Sequence, residues 1–503
     1  MGPLTIGWAS RDITPACPVA IRGQFNLRIA TRIQDPLSLT ALAIESDGEQ
    51  VIFVSLDGAG ADTALLEASR PLLAKRLPGF DPRKLIASAT HTHTGPFCSG
   101  ERGLQRDTDY MDELLARYPG YTSVAEYAAF LAETLADAAA EAWENRQPGQ
   151  IGFGYTYAVV GENRRVRYFD DRAVMYGKVS EPDFSHIEGH VDHGVHLLCT
   201  YDADGQLTGM VINIPCPSQA SEGGQDYVSA DYWHDVREEI RRRQGAGLGP
   251  AEARPLHGPG PAQARPLHIL PQCAAAGDQT PHRQIDRRAE ERMMKLKFGE
   301  GLNNGWNMAL RQDLARRVAD AVQDAEPVVR QDLRDTAVLK HEPRHLDVPH
   351  WDVTDAEYEA LTSEMAELKQ RLEQLGEGDR LSSQYTATRS RLAWCQRAVD
   401  RYENPLPSVP VEMNVVRLGD IAFVTAPFEY YLDFGDRIKA RSAAVQTFII
   451  QLTGTGGYLP TERAAAGKSY GAVPPSCRVA PRGGQVIVDE AVRVIGEMFA
   501  EEM

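Results

Sequence analysis

The chain has 503 residues, 43% of them hydrophobic and 24% charged, an ordinary globular mix with length enough for a large core. With 53 basic against 70 acidic residues the formal charge is −17, which argues against nucleic-acid binding and against docking on anionic membranes. Neither a signal-peptide pattern nor an apolar run of about 18 residues is present, so a cytoplasmic protein with no integral membrane segment is expected.

In chain order, the recurring unit is a short apolar, β-branched run that ends in a small or polar turn. Val51–Ser55 runs into Leu56-Asp57-Gly58, and Lys84–Ala89 into Thr90-His91-Thr92-His93-Thr94-Gly95-Pro96. Ser123-Val-Ala-Glu126 is a capping box that opens an Ala-rich helix reaching about Asn145. Gly209–Ile214 leads to Pro215-Cys216-Pro217-Ser218-Gln219, and Leu267–Leu270 to Ala274–Gly277-Asp278-Gln279-Thr280-Pro281. Met308–Ala325 and Asp433–Ala443 read as amphipathic helices. Ile421–Thr425 leads to Ala426-Pro427-Phe428-Glu429, and Gln446–Leu452 to Gly456-Gly457-Tyr458. Runs so short and apolar predict strands buried on both faces. Alternating with helices, they predict an α/β fold: a mixed β-sheet core flanked by helices, in one catalytic domain spanning 1–503. Two segments read as insertions. Residues 244–268 are Gly/Pro-rich and repeat Ala-Arg-Pro-Leu-His, which suggests a surface loop; residues 353–402 are charged and helical with a turn near Gly376, which suggests a helical hairpin.

In open α/β sheets ligands lie beyond the carboxyl ends of strands, so these polar turns are expected to converge. His91 and His93, spaced i, i+2 at a strand end, would point to one side and form half of a metal site, against the plainer reading of two satisfied histidines. Glu429 at a helix start suits a carboxylate near a cation, and Tyr458 after Gly456-Gly457 stands where backbone approaches closely. Asp57 is a candidate to orient a histidine. Asp278 precedes Thr280-Pro281, which has the pattern of a helix N-cap with Pro at N1. His234 lies near the start of a helix that continues through Arg243. Seven cysteines (17, 98, 199, 216, 273, 395, 477) include no Cys-x-x-Cys, which fits buried thiols in a reducing compartment. Dinucleotide, Walker A, His-Glu-x-x-His and Gly-x-Ser-x-Gly motifs are missing.

Taken in order, Ile6–Pro15, Val54–Gly58, Thr90–Pro96, Glu162-Asn163-Arg164-Arg165, Gly277–Pro281, Ala426–Glu429 and Tyr458–Glu462 resemble the motifs of the neutral/alkaline ceramidase family. The resemblance covers most of the chain, with Thr90–Pro96 its most specific part. It implies a zinc hydrolase in which His91, Glu429 and Tyr458 hold Zn2+, and His93 and Arg164 bind or polarise the substrate, with Asp278 and Thr280 at the Gly-Asp-x-Ser-Pro motif. Two departures stand out. Where the family has a second zinc histidine this chain reads Cys216-Pro217-Ser218-Gln219, so His234, Cys216 or one of His190, His193 and His196 would substitute, His234 being favoured as shortly downstream. Otherwise the metal has three protein ligands. Thr280 occupies the catalytic serine position. The chain also stops soon after the Tyr motif, so the family's C-terminal immunoglobulin-like domain is expected to be absent. The expected activity is hydrolysis of an amide (N-acyl) bond in a small or sugar-like substrate. The alternatives are a zinc hydrolase or lyase for an ester, lactone or glycoside, and a non-catalytic binding protein of the same fold. A small-molecule substrate is the expected partner, and homo-oligomerisation is open.

Overall fold

Two β-sheets lie face to face, and helices cover both outer surfaces. The computed structural model describes residues 1–98, 108–245, 266–299, 305–376, 378 and 380–500; most of the 244–268 loop therefore lies outside the described residues. The first sheet is eight-stranded and uses β1 (Thr5–Asp12), β2 (Ser38–Ser46), β3 (Glu49–Leu56), β4 (Leu85–Ala89), β5 (Gln147–Tyr157), β6 (Gly194–Asp202), β7 (Leu207–Ile214) and β8 (His268–Cys273), in the spatial order β8-β7-β6-β5-β1-β2-β3-β4. The second is four-stranded, in the order β9 (Leu339–Pro349), β10 (Ser408–Leu418), β11 (Ile421–Ala426) and β12 (Gln446–Gln451).

The period-2 alternation of a strand separates the two faces. From β3, Ile52, Val54 and Leu56 pack under helices α1 (Thr63–Arg76) and α2 (Val124–Glu144), while Val51 and Phe53 enter the space between the sheets. Ser123 and Glu126 form the reciprocal capping box that starts α2. Helices α3 (Tyr232–Arg243) and α4 (Gly305–Val329) cover the β6-β7-β8 end through Trp233, Val236, Leu310 and Leu314. Between the sheets, Phe53 meets Phe423 at a ring-centroid distance of 4.9 Å, and Phe423 stacks on Phe448 at 4.6 Å. Ile450 is fully buried in the same layer. Ile450→Val removes one methylene-sized group there and is expected to lower unfolding free energy by about 1 kcal/mol, read as a small drop in melting midpoint. The outer face of the second sheet is covered by α7 (Leu432–Arg441) and α8 (Pro481–Ala500), through Phe434, Ile438, Ile487 and Ile495. The result is a four-layer α-β-β-α arrangement.

Between β9 and β10 the chain makes two helices, α5 (Asp355–Leu375) and α6 (Ser383–Glu403). They pair through Leu361, Met365, Cys395 and Val399 and by stacking of Tyr358 on Tyr402 at 4.2 Å. Tyr385, with Leu372 and Leu381, packs on Ala20, Leu27 and Phe97, which seats this pair beside the strand ends of the first sheet. No helix among the described residues is long and apolar enough to cross a membrane.

Within these two sheets three strand pairs are parallel: β3 with β4, β7 with β8, and β11 with β12. Parallel neighbours end on the same edge, so each pair delivers two loops to one rim. Those rims are tied together. Ser218 N–H donates to Thr90 O at 3.0 Å, Gly277 N–H to Tyr430 O at 2.9 Å, and the Gln451 amide oxygen accepts from Ala276 N–H at 3.1 Å. This junction of both sheets is the floor of a cleft.

Candidate active site

The cleft encloses about 680 Å³ and is lined at its floor by His91, His93, Arg164, Tyr176, Glu222, Glu429 and Tyr458. His91 does not continue the β4 pleat: β4 ends at Ala89, and His91 has a φ of 62°. A left-handed turn, rather than strand alternation, brings the two imidazoles together, with centroids 5.0 Å apart. The turn is held by Thr90 N–H on Leu56 O and Thr92 N–H on Gly58 O.

His91 Nδ1 lies 2.7 Å from Ala59 O. A carbonyl only accepts, so Nδ1 carries the proton, and in the neutral ring Nε2 presents a lone pair. Nε2 faces Glu429 Oε2 at 3.5 Å, and both atoms are buried without a hydrogen-bond partner. Glu429 is brought there by the parallel pairing of Glu429–Tyr430 with Tyr458–Leu459, and its N–H donates to Gly457 O at 2.8 Å. Gly457 has a φ of +80°, a conformation that favours glycine. Burial raises the Glu429 carboxyl, whereas a protonated His91, the Arg164 guanidinium and Tyr458 lower it. Burial beside Glu429 pushes the Tyr458 phenol well above its ordinary value. Arg164 Nη2 is 3.3 Å from Tyr458 Oη and 3.7 Å from Glu429 Oε2.

Around His93 runs one directed hydrogen-bond chain. Its Nδ1 donates to Glu222 Oε1 at 3.1 Å, and its Nε2 accepts from Gln219 Nε2 at 2.7 Å. Gln219 Oε1 accepts in turn from Arg164 Nη1 at 3.3 Å, and Tyr176 Oη donates to Glu222 Oε2 at 3.1 Å. Burial lowers the His93 imidazole, in keeping with a neutral ring. Burial also works against ionising Glu222, but the hydrogen bond from His93 and the Arg164 guanidinium favour its carboxylate, which is held low, at about 2. Gly23, with a φ of +113°, passes so close that a Cβ there would lie 2.4 Å from the His93 ring.

His91, His93, Arg164, Glu429 and Tyr458 are thus brought together, and other sequence candidates are not. His234 does not line the cleft; it lies in the first turn of α3, its N–H on Asp231 O, and α3 packs against the helix-side face of the first sheet. Cys216, His190, His193 and His196 do not line it either. His196 is buried against Phe448, and His190 bonds Asp436. The strand-end position that sequence left without a histidine is filled by Gln219, whose side chain reaches both His93 and Arg164. Asp57 does not orient a histidine. Arg237 and Ser38 N–H occupy its carboxylate, and Ala59 O orients His91 instead.

Asp278 and Thr280 stand behind the floor. Asp278 accepts from Asn163 Nδ2 at 2.8 Å and from Leu432 N–H at 3.1 Å, and so anchors Asn163 and the start of α7. Burial is the main influence on its carboxyl and pushes it up. Thr280 is fully buried and is not a helix cap: Gln279–Thr280 pairs with Glu162–Asn163, and the next helix, Arg287–Phe298, starts after Asp286. Neither residue lines the cleft. Among the described residues no group of three His, Cys, Asp or Glu that could hold a metal ion assembles; the groups nearest the His91–Glu429 pair are the Tyr458 phenol and Arg164. Gln219, Glu222 and Tyr176 escaped sequence reasoning. The one available signal was the strand end at Pro215–Gln219.

A four-layer α/β fold with its cleft at the strand ends of both sheets is therefore the class of protein defined. No family model matches the sequence, and no curated protein matches it. Solved structures do match in fold. One is neutral ceramidase from Pseudomonas aeruginosa, with a TM-score of 0.66 and 17% identity over 99% of this chain and 75% of that one. Another is a ceramidase complexed with C2, with a TM-score of 0.65 and 16% identity over 98% of this chain and 75% of that one. The chain has the ceramidase fold in a divergent sequence.

Proposed function

We propose that the protein is a zinc-dependent hydrolase that cleaves an amide (N-acyl) bond of a small or sugar-like substrate. The observation that carries the reading is the facing pair of orphaned atoms, His91 Nε2 and Glu429 Oε2, 3.5 Å apart in a buried corner. Buried polar atoms are rarely left unpaired. Two donors about 2.1 Å from one tetrahedral zinc are separated by about 3.4 Å, so the spacing suits a shared cation. The residues that would hold it are His91, Glu429 and Tyr458, with no histidine at the Gln219 position. Zinc bound there would supply Lewis-acid polarisation of a carbonyl and a more acidic water. The fold shared with two ceramidases supports amide hydrolysis as the reaction class.

The chain's own residues have separable roles in this reading. Arg164, held by Gly277 O at 2.8 Å and Tyr176 Oη at 2.9 Å, directs fixed positive charge at the corner where an oxyanion would form. His93 receives a proton at Nε2 when the Gln219 amide gives way to substrate, and ionised Glu222 stabilises the resulting imidazolium through Nδ1. Glu222→Gln is expected to lower kcat/KM on the order of 10- to 100-fold while the zinc content stays unchanged. Steady-state kinetics with elemental analysis checks it.

A panel of N-acyl amides, esters, lactones and glycosides tests the function. Turnover of N-acyl amides, lost with a chelator and regained with zinc, is the expected result. Glycoside turnover with inert amides would sink the amidase reading, and full activity in metal-free protein would sink the zinc reading.

A further inference from the structure

Outward of the His91–Glu429 corner, the segment after β1 brings an open aromatic ring close to an ionised carboxylate. Gly23 passes against the His93 ring, and the Gln24 amide donates to Glu222 Oε1 at 3.4 Å. The next residue, Phe25, lines the cleft with 45% of its surface exposed. Its ring is steadied edge-on by Trp394 at 5.5 Å and by Tyr470 at 4.9 Å. Trp394 belongs to a face of α6 that also brings Arg397 and Arg401 to the cleft, spaced i, i+3 and i+7. Tyr176, 39% exposed, presents a second ring at the floor. Its φ of 57° is a left-handed conformation uncommon for so bulky a residue, and its N–H donates to Arg164 O at 2.7 Å. The backbone is bent there to keep this phenol between Arg164 and Glu222.

Glu222 discriminates among ligand chemistries. Its side chain is 20% exposed, and a carboxylate accepts about four hydrogen bonds. Among the described residues Oε1 receives His93 Nδ1 and Gln24 Nε2, whereas Oε2 receives Tyr176 Oη, which leaves Oε2 room for a further donor. A hydrocarbon chain laid here would press an ionised carboxylate against methylene groups. An anion would meet the repulsion of that carboxylate. A cation would meet the Arg164 guanidinium, 2.9 Å from the same Tyr176 hydroxyl. Both signs of charge line the cleft, Arg397 and Arg401 beside Asp400 and Glu222, which suits a neutral ligand. A neutral hydroxyl fits: its proton goes to Glu222 Oε2, and its oxygen accepts from a side-chain amide such as Gln24 or Asn26, both of which line the cleft. The C–H face of a saturated ring gains dispersion contacts on an open aromatic ring such as Phe25.

We propose that the cleft takes a neutral ring rich in hydroxyl groups, so that the substrate is an N-acylated amino sugar whose hydroxyls meet Glu222 and Gln24 and whose ring lies against Phe25. The amide as the scissile bond rests on the hydrolase reading above, but hydroxyl recognition is measurable without turnover. The probes are the methyl glycoside of N-methanesulfonyl-glucosamine and N-cyclohexyl-methanesulfonamide. Both carry a saturated ring and a sulfonamide that is not hydrolysed, and the first alone bears hydroxyls. Each is titrated into the full-length protein by saturation-transfer NMR, and the corresponding galactosamine and mannosamine glycosides show which epimer fits. At least one sugar is expected to bind about tenfold tighter or more than the cyclohexyl probe. Phe25→Ala, at an exposed position, should weaken that sugar about threefold to tenfold and leave the melting midpoint unchanged. Glu222→Gln keeps the shape but turns an acceptor oxygen into a donor. It should bring the sugar preference below about twofold, with affinity for the cyclohexyl probe unchanged. Gln24→Ala, expected to reduce the preference in part, serves if Glu222→Gln fails to fold. A cyclohexyl probe that binds as tightly as every sugar, binding of no probe, or a preference that survives these replacements overturns the proposal. Amide turnover with no preference for hydroxyls would refute this inference alone; hydroxyl-selective binding without turnover would refute the hydrolase reading alone.

Discussion

Replacing His91 with alanine is expected to remove bound zinc and to lower kcat/KM by about a thousandfold, the equivalent of several kcal/mol of lost transition-state stabilisation. His91 makes one side-chain hydrogen bond, to Ala59 O, packs edge-on against the His93 ring, and points its Nε2 at Glu429. Loss of metal with an unchanged melting midpoint in the absence of zinc would therefore separate ligation from folding. Elemental analysis of wild type and variant, prepared side by side, reads the first quantity and thermal melting the second. Wild-type protein with less than about half an equivalent of zinc, unchanged in His91→Ala, would remove the basis for the metal corner.

A second large effect is expected from Asp57→Ala, on stability rather than chemistry. Asp57 and Arg237 are both 1% exposed, and the carboxylate receives Arg237 Nη2 at 2.6 Å, Arg237 Nη1 at 3.2 Å and Ser38 N–H at 2.8 Å. Burial pushes this carboxyl up and Arg237 pulls it back, so the pair as a unit contributes little net stability. Breaking it is different. Alanine removes the carboxylate that a buried guanidinium pairs with and leaves the Ser38 amide without this acceptor, a loss of about 3–5 kcal/mol. Urea unfolding should show an earlier midpoint, and the apolar double variant Asp57→Leu/Arg237→Met should lose less than Asp57→Ala. A double variant at least as unstable as the single one would show that the pair is worth more than its desolvation.

The strands and helices were legible because each apolar run carries its own signal. Val51–Ser55 falls within a strand, Gln446–Leu452 overruns its strand by one residue, and Met308–Ala325 falls within a longer helix. The division into two stacked sheets was not legible. A run buried on both faces has no polar side to say which layer it meets, and β3 contacts α1 on one face and Phe423 on the other. At the site, His91, His93, Arg164, Glu429 and Tyr458 were legible as strand-end residues in motif order, although a positive φ at His91, invisible in spacing, makes the geometry. His234 misled through nearness in sequence: after Gln219 the chain turns under the sheet into α3 before reaching it. Thr280-Pro281 had the chemistry of a helix start, but backbone pairing with Glu162 prevails there. Glu222 and Tyr176 reach His93 and Arg164 from distant loops, with no local pattern to reveal them. Trp394, Arg397 and Arg401 did have a pattern, one helix face, inside a segment that composition alone presents as solvated.

The floor is drawn from both sheets: His91 and His93 follow β4, whereas Glu429 and Tyr458 follow β11 and β12. The contact between His91 and Glu429 is therefore a gauge of how the layers are registered. A substitution deep in the aromatic seam of Phe53, Phe423 and Phe448, remote from any substrate, would slide one half of the floor past the other. Such a protein would keep its helices and strands and lose its chemistry first, which makes turnover a finer reporter of interlayer packing than any spectroscopic measure of secondary structure.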